Sequence, residues 1–365
     1  MSGRVAVAMS GGVDSSVVAW LLSREDPSVI GLSMLLWDRS QENTHGRCCG
    51  ALDLGDARRV AQQCGIAHYT LKMADDFRRY VVDPFVDDYL AGRTPVPCTR
   101  CNTFIKFDLF LERARAFGVD TIATGHYARI VAGAEGWELH QARTIDKDQS
   151  YYLFELTQAQ LAASRFPLGD MDKERVRELA REAELLVAEK AESMELCFVA
   201  GGIKDFVEAQ AGAAPERFAV PVTAASSLVD SGGTELGRGE PYYRYTVGQR
   251  RGLGLTAPSP LYVLAIEPEE NRVVVGGAEE LRLPGLIGER LHWIGRPPVG
   301  PIEATVRIRS RHPGVCSLVT PLAEDGLVRV EFATAQRGVA PGQAAVFYDG
   351  TRVLGGCWIQ QATPA

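Results

Sequence analysis

The chain has 365 residues, 46% of them hydrophobic and 23% charged, with eight cysteines and a formal net charge of −7. That length exceeds one comfortable core and predicts two or three domains. No apolar run reaches membrane-spanning length, and Met1–Arg4 leads into a strand pattern rather than a leader. The expectation is therefore a cytoplasmic protein with no membrane partner and no secreted disulfide framework.

The first part alternates strand and helix. Val5–Ala8, Val29–Leu36 and Ala67–Leu71 read as strands, as does Thr121–Thr124, which ends at Gly125. Ser15–Ser23, Leu52–Cys64, Asp75–Ala91 and a segment beginning at Asn102 and stopped by Gly118 carry helical spacing. Such a series predicts an α/β fold, a doubly wound parallel sheet with ligands at the carboxyl ends of its strands. Leu156–Glu189 is helical in pattern. Beyond Gly201 the composition changes, and short β runs follow at 261–266, 272–275, 305–308, 316–319, 328–332 and 344–348, with turns at Asp325-Gly326, Pro341-Gly342 and Asp349-Gly350. These predict a small C-terminal barrel or sandwich. The expected divisions are 1–205 for catalysis, 206–275 as a small central domain and 276–365 as the β-rich tail.

Residues 8–16, Ala-Met-Ser-Gly-Gly-Val-Asp-Ser-Ser, lie between a strand and a helix. Gly11 and Gly12 can turn successive N–H groups inward, and the helix N-terminus adds about half a positive charge, so the turn suits phosphate. Ser10, Ser15 and Ser16 offer hydroxyls, and Asp14 is a candidate helix cap or magnesium ligand. No Gly-Lys-Ser/Thr follows, which excludes the ordinary ATPase loop. Two stretches without acids, Pro241–Thr256 with Arg244, Arg250 and Arg251 and Val306–His312 with Arg307, Arg309, Arg311 and His312, are local basic patches suited to a phosphate backbone, or solvated arginines on strands.

Pro97-Cys98-Thr99-Arg100-Cys101-Asn102 places two thiols at the entry to a helix, where unpaired N–H groups, Arg100 and Lys106 are expected to lower their pKa. Cys197 lies in Leu196-Cys197-Phe198. Three chemistries compete for Cys98, Cys101 and Cys197: a zinc site, a three-thiolate iron–sulfur cluster, and direct transfer of persulfide sulfur. Cys48-Cys49 diverge too far to bind one ion as a pair, and Cys64, Cys316 and Cys357 read as buried small hydrophobes. His126 is either a proton carrier or a hydrogen-bonded structural residue.

Ser-Gly-Gly-Val-Asp-Ser resembles the pyrophosphate loop of ATP pyrophosphatases. Joined to Cys98/Cys101, Ile105-Lys106-Phe107, Thr124-Gly125-His126-Tyr127-Ala128, Lys147–Tyr152, Leu196-Cys197-Phe198, Thr246–Gly254 and Pro341–Tyr348, it makes the chain resemble the tRNA-specific 2-thiouridylase family over nearly its whole length. The resemblance implies an adenine-nucleotide hydrolase-like domain followed by a central domain and a β-barrel. It also implies ATP and Mg2+ as cofactors, with an iron–sulfur cluster left open, and sulfur transfer to the wobble uridine in the anticodon loop of tRNA. Sulfur would come from a persulfide donor such as a cysteine desulfurase or relay protein. By that resemblance Ala8, Met9, Ser10, Gly11, Gly12, Val13, Asp14, Ser15, Met34 and Gly125 bind ATP. Val96, Pro97 and Cys98 meet the target base, while Lys147, Asp148, Gln149, Arg309 and Ser310 meet tRNA. Cys101 is the nucleophile and Cys197 carries the persulfide, the two being able to pair as a disulfide. Cys98 replaces an aspartate found in other members, so a carboxylate base is not expected there. An amide-forming ATP pyrophosphatase and a non-catalytic RNA-binding iron–sulfur protein are the alternatives.

Overall fold

The computed structural model describes residues 4–37, 51–191, 196–199, 201–213, 224–324 and 326–363. Cys48, Cys49, Ser193–Glu195 and Asp325 lie outside them. Two compact units are distinguished, residues 1–82, 98–200 and 351–354 forming one, and 83–97, 201–350 and 355–365 the other.

The first unit is built on a five-stranded parallel sheet. Its strands are β1 (Arg4–Ala8), β2 (Ile30–Leu35), β3 (Ala67–Lys72), β4 (Val119–Ala123) and β7 (Ser164–Arg165), in the order β3-β2-β1-β4-β7. β1 is apolar in every residue after Arg4 and buried, as a strand covered on both faces must be. Helices α1 (Val13–Glu25), α2 (Ala51–Gln63) and α8 (Lys173–Glu182) contribute Val17, Val18, Val60, Ala61, Val176 and Leu179 to one core with Val5 and Val7. The strand order reverses between β1 and β4, which opens a crevice at their carboxyl ends. Gly11, Gly12 and Gly125 follow those two ends.

Three features depart from the sequence expectation. The helix expected at Asn102 begins at Pro97, since proline suits a first helical position. It runs through α5 (Pro97–Arg100), a wide π-helical stretch over Cys101–Leu109 and α6 (Phe110–Arg115). A hairpin of β5 (Ala128–Gly133) and β6 (Gly136–Gln141) follows Gly125, where no strands were expected. The helical stretch 156–189 is broken into α7 (Gln158–Ala162), β7 and α8.

In the second unit β8 (Ser227–Val229), β9 (Glu235–Arg238), β10 (Tyr262–Glu267) and β11 (Arg272–Gly276) form a four-stranded sheet. A six-stranded barrel is made by β12 (Arg282–Trp293), β13 (Ile302–Arg307), β14 (Val315–Pro321), β15 (Val328–Arg337), β16 (Ala344–Asp349) and β17 (Arg352–Thr363), closed by β12 against β17. The Pro341-Gly342-Gln343 turn holds the 83–97 segment. Gly342 has φ +86°, a Cβ there would lie 3.0 Å from the Thr94 nitrogen, and Gln343 Nε2 donates to the Thr94 carbonyl at 3.0 Å. Among the described residues no helix is long and apolar enough to cross a membrane.

Candidate active site

The glycine loop is shaped by what stands behind it. Gly11 has φ +75°, and a Cβ there would lie 2.1 Å from the Asp53 carbonyl oxygen, so only glycine fits. Gly12 caps α1 through its backbone, with no side-chain cap bond. Ser15 Oγ accepts from the Ser10 N–H at 3.2 Å, and Ser16 Oγ donates to the Gly12 carbonyl at 2.8 Å. Ser33 Oγ donates to the Met9 carbonyl at 2.6 Å, so His68 Nε2, 2.8 Å away, is the donor to that hydroxyl. Across the crevice a Cβ on Gly125 would lie 2.9 Å from Asp14 Cβ, which keeps the β4 end flush against the first turn of α1.

The crevice holds a cavity of about 220 Å3 lined by Ala8, Met9, Ser10, Asp14, Ser15 and Met34 from the loop side. Lys106, Thr124, Gly125, His126 and Gln149 complete the wall. The structure thus brings together most of the residues expected to meet ATP, with Gly11, Gly12 and Val13 forming the turn itself. Asp14 does not cap the helix. Its Oδ1 accepts from Tyr127 Oη at 2.9 Å and from Lys173 Nζ at 2.6 Å. Lys190 braces the back of the loop, donating to the Gly11 carbonyl at 2.9 Å and to Asp53 and Asp56, each at 2.6 Å. Neither Lys173 nor Lys190 carried a sequence signal, because both meet the loop only through tertiary packing.

The thiols differ from expectation. Cys101 is buried, and burial pushes its thiol up to about 11, against the pull of Lys106. Cys98 is exposed, yet the protein around it still raises its thiol while Lys106 opposes. Loss of solvation therefore outweighs the nearby cation, and these thiols rest protonated at neutral pH. Both are free. Cys197 is half-buried, and the adjoining Phe198 is anchored edge-on to Phe77 at 5.6 Å. Among the described residues no three His, Cys, Asp or Glu side chains are grouped to hold a metal ion. Cys98, Cys101 and Cys197 are thus not brought together as a ligand set among the described residues. Cys357 is buried as expected, but Cys316 is exposed because it occupies an outward position in the alternation of β14.

Lys106 projects from the same π-helical stretch that begins with Cys101. Its Nζ donates to Asn102 Oδ1 at 2.9 Å and approaches His126 Nε2 at 3.4 Å. An ammonium only donates, so Nε2 is the acceptor, and His126 carries its proton on Nδ1, facing Thr124 Oγ1 at 2.7 Å. Burial and the Lys106 charge hold the imidazole well below its usual pKa, which keeps His126 neutral in a fixed tautomer.

The residues expected to meet tRNA are scattered. Val96 and Pro97 are buried in the second unit. Gln149 lines the cavity and accepts from the Tyr127 N–H at 2.9 Å, whereas Asp148 is occupied with the Ala142 and Ser150 N–H groups. Lys147 is half-buried. Arg309 is exposed and lines a cavity of about 410 Å3 with Arg337, Tyr262 and Gln343, while the Ser310 carbonyl accepts from Arg307. The two basic patches are only partly available. Arg244 is gripped by both carboxylate oxygens of Glu208, at 2.6 and 2.7 Å, and pairs with Asp205 and Glu240. Arg307 and His312 are buried, leaving Arg250, Arg251, Arg309 and Arg311 exposed.

Residues 3–201 match the family described as "tRNA methyl transferase HUP domain". Residues 221–277 match "tRNA methyl transferase PRC-barrel domain" and 284–359 "Aminomethyltransferase beta-barrel domain". A protein of Solibacter usitatus named tRNA-specific 2-thiouridylase MnmA is 46% identical, covering 98% of this chain and 99% of its own length. One of Geobacter metallireducens with the same name is 48% identical, covering 98% and 97%. The chain belongs to the tRNA-specific 2-thiouridylase family. The profile descriptions speak of methyl transfer while the full-length relatives are named for thiolation. The relatives span both units, and a pyrophosphate loop is suited to ATP, so the thiouridylase name carries more weight. In thiouridylase terms, the nucleotide-binding pyrophosphate loop sits on the parallel-sheet domain, followed by the PRC-barrel domain and the closed six-stranded barrel.

Proposed function

We propose that the protein is an ATP-dependent tRNA-uridine 2-sulfurtransferase acting on the wobble uridine of the anticodon loop. A uracil carbonyl oxygen is a poor leaving group and must first be activated. The O2 lone pair attacks the α-phosphorus of ATP, brought in with Mg2+, and the bond to the β-phosphate breaks with its electron pair leaving on pyrophosphate. A persulfide on Cys197, charged by a cysteine desulfurase or relay protein, then attacks C2, and the C2–O bond breaks with its pair leaving on AMP. Cys101 as thiolate attacks Cys197 Sγ, which leaves the sulfur on C2 and joins the two cysteines as a disulfide, and a thiol reductant supplies the two electrons that return it to two thiols. Unstacked loop bases can be splayed into a pocket without melting a helix.

One observation supports this reading: the stretch that begins with Cys101 contributes Lys106 to the wall of the cavity beside the glycine loop. In this reading 1–205 performs the chemistry, and Val96, Pro97 and Cys98 meet the base. Lys147, Asp148, Gln149, Arg309 and Ser310 contact tRNA, while 206–275 and 276–365 hold its body. Because Cys101 rests as a thiol, deprotonation on substrate binding is part of its use.

The test supplies tRNA, ATP and a cysteine desulfurase with cysteine, and measures 2-thiouridine by mass spectrometry together with AMP and pyrophosphate. Thiolation at the wobble position that is lost in Cys197→Ser is expected. Full turnover by Cys197→Ser would instead favour amide-forming chemistry.

A further inference from the structure

Three lysines surround the nucleotide loop, and they are held differently. Lys173 is ion-paired with Asp14 and Lys190 with Asp53 and Asp56. Lys106 has two neutral partners, Asn102 Oδ1 and His126 Nε2, and no carboxylate partner among the described residues. Those partners are fixed in turn. Asn102 Nδ2 donates to the Tyr152 carbonyl at 3.0 Å, which orients Oδ1 toward the ammonium, and Thr124 fixes the imidazole tautomer. Two of the three ammonium hydrogens are thereby directed, and the third is left for a ligand in the cavity. The acid in the cavity wall, Asp14, is already engaged by Lys173 and Tyr127. The cavity therefore presents an uncompensated positive charge on a rigid mount, a setting in which fixed charge is worth most against charge that develops during reaction.

We propose that Lys106 is a catalytic residue of the activation step, its ammonium contacting a non-bridging oxygen of the α-phosphate as the uracil O2–phosphorus bond forms and the bond to pyrophosphate breaks. The inference rests on the sulfurtransferase reading above and deepens it. Negative charge builds on the equatorial oxygens as the uracil O2 adds to phosphorus and passes to pyrophosphate as that bond breaks, and the N3 proton stays on the uracil ring, so no further reactant is needed. Asn102, Thr124 and His126 act through Lys106 and are positioning residues.

The experiment follows the burst of pyrophosphate from γ-labelled ATP with tRNA present and every sulfur donor withheld, which isolates activation from sulfur transfer. ATP affinity is read separately by equilibrium dialysis and folding by thermal melting. Lys106→Met is expected to slow the burst at saturating ATP by about 100-fold or more. Its ATP affinity should fall less than about tenfold and its melting should remain cooperative. Lys106→Arg, which keeps the charge, is expected to recover at least about a tenth of the wild-type rate. A Lys106→Met burst within threefold of wild type overturns the proposal, as does a burst restored simply by raising ATP. Normal activation with lost thiolation also overturns it, because the charge would then serve the thiols. A wild-type protein with no tRNA-dependent burst would bring down the sulfurtransferase reading together with this one, whereas an active wild type and an active Lys106→Met would bring down this one alone.

Discussion

The glycine loop of the first unit and the arginine stretches of the second both present donors suited to phosphate, yet they are organised in opposite ways. In the loop the donors are backbone groups held by what lies behind them, Gly11 against Asp53 and Lys190 against the Gly11 carbonyl. In the second unit the charges are on long side chains, and tertiary acids decide which remain available. Arg244 is neutralised by Glu208, Asp205 and Glu240, whereas Arg309 stays exposed beside its cavity. A phosphate site made of backbone is legible in a short string, but one made of side chains is not.

The contrast is broken most severely at Gly11. Gly11→Ala places a methyl group against the Asp53 carbonyl in a left-handed conformation, and ATP affinity is expected to fall by about 100-fold or more. Near-normal binding in a dialysis experiment would show that the loop is not held from behind. Next in size is the state of the buried thiol. With its pKa pushed up to about 11, Cys101 should alkylate roughly tenfold faster for each pH unit between 7 and 10 in the ligand-free protein. Peptide mass spectrometry after iodoacetamide distinguishes it from the exposed Cys98, and a rate already at its plateau at pH 7 would refute the resting-thiol assignment.

Smaller effects separate the two arginines. Arg309→Ala should weaken tRNA binding several-fold and reduce the salt slope by about one, while Arg244→Ala should leave the slope unchanged and cost about 1 kcal/mol of stability. The same salt slope for both variants would erase the distinction. The mildest expectation concerns the histidines. Burial holds His68, His126 and His312 below their ordinary pKa, so the unfolded chain binds more protons as pH drops below about 6.5, and stability should decline there. Urea unfolding at pH 7.5, 6.5 and 5.5 measures it, and a flat profile would count against three neutral interior rings.

What could be read from the chain follows the same division. β1, the loop and α1 are contiguous, so their geometry is written in adjacent residues, and the parallel sheet follows from its apolar runs. β12 and β17 were harder to see because glycines interrupt them. Those glycines mark close approach rather than turns, a Cβ on Gly285 meeting the Val330 carbonyl at 2.4 Å and one on Gly355 the His292 carbonyl at 2.1 Å. At the site, Asp14 and Cys101 were visible by residue type, but the partner of the first and the protonation of the second were not. Lys173 settles one and burial the other, and both depend on chain far away in sequence.

The wide turn over Cys101–Leu109 bears on how this protein tolerates change. With amides reaching back five residues, as Phe110 N–H does to the Ile105 carbonyl, the stretch carries more chain per turn than its α-helical flanks. Cys101 and Lys106 are themselves five apart. Removing any one residue between them would tighten the coil and swing the ammonium away from the cavity, so a deletion that discards no reactive group is expected to silence the proposed chemistry.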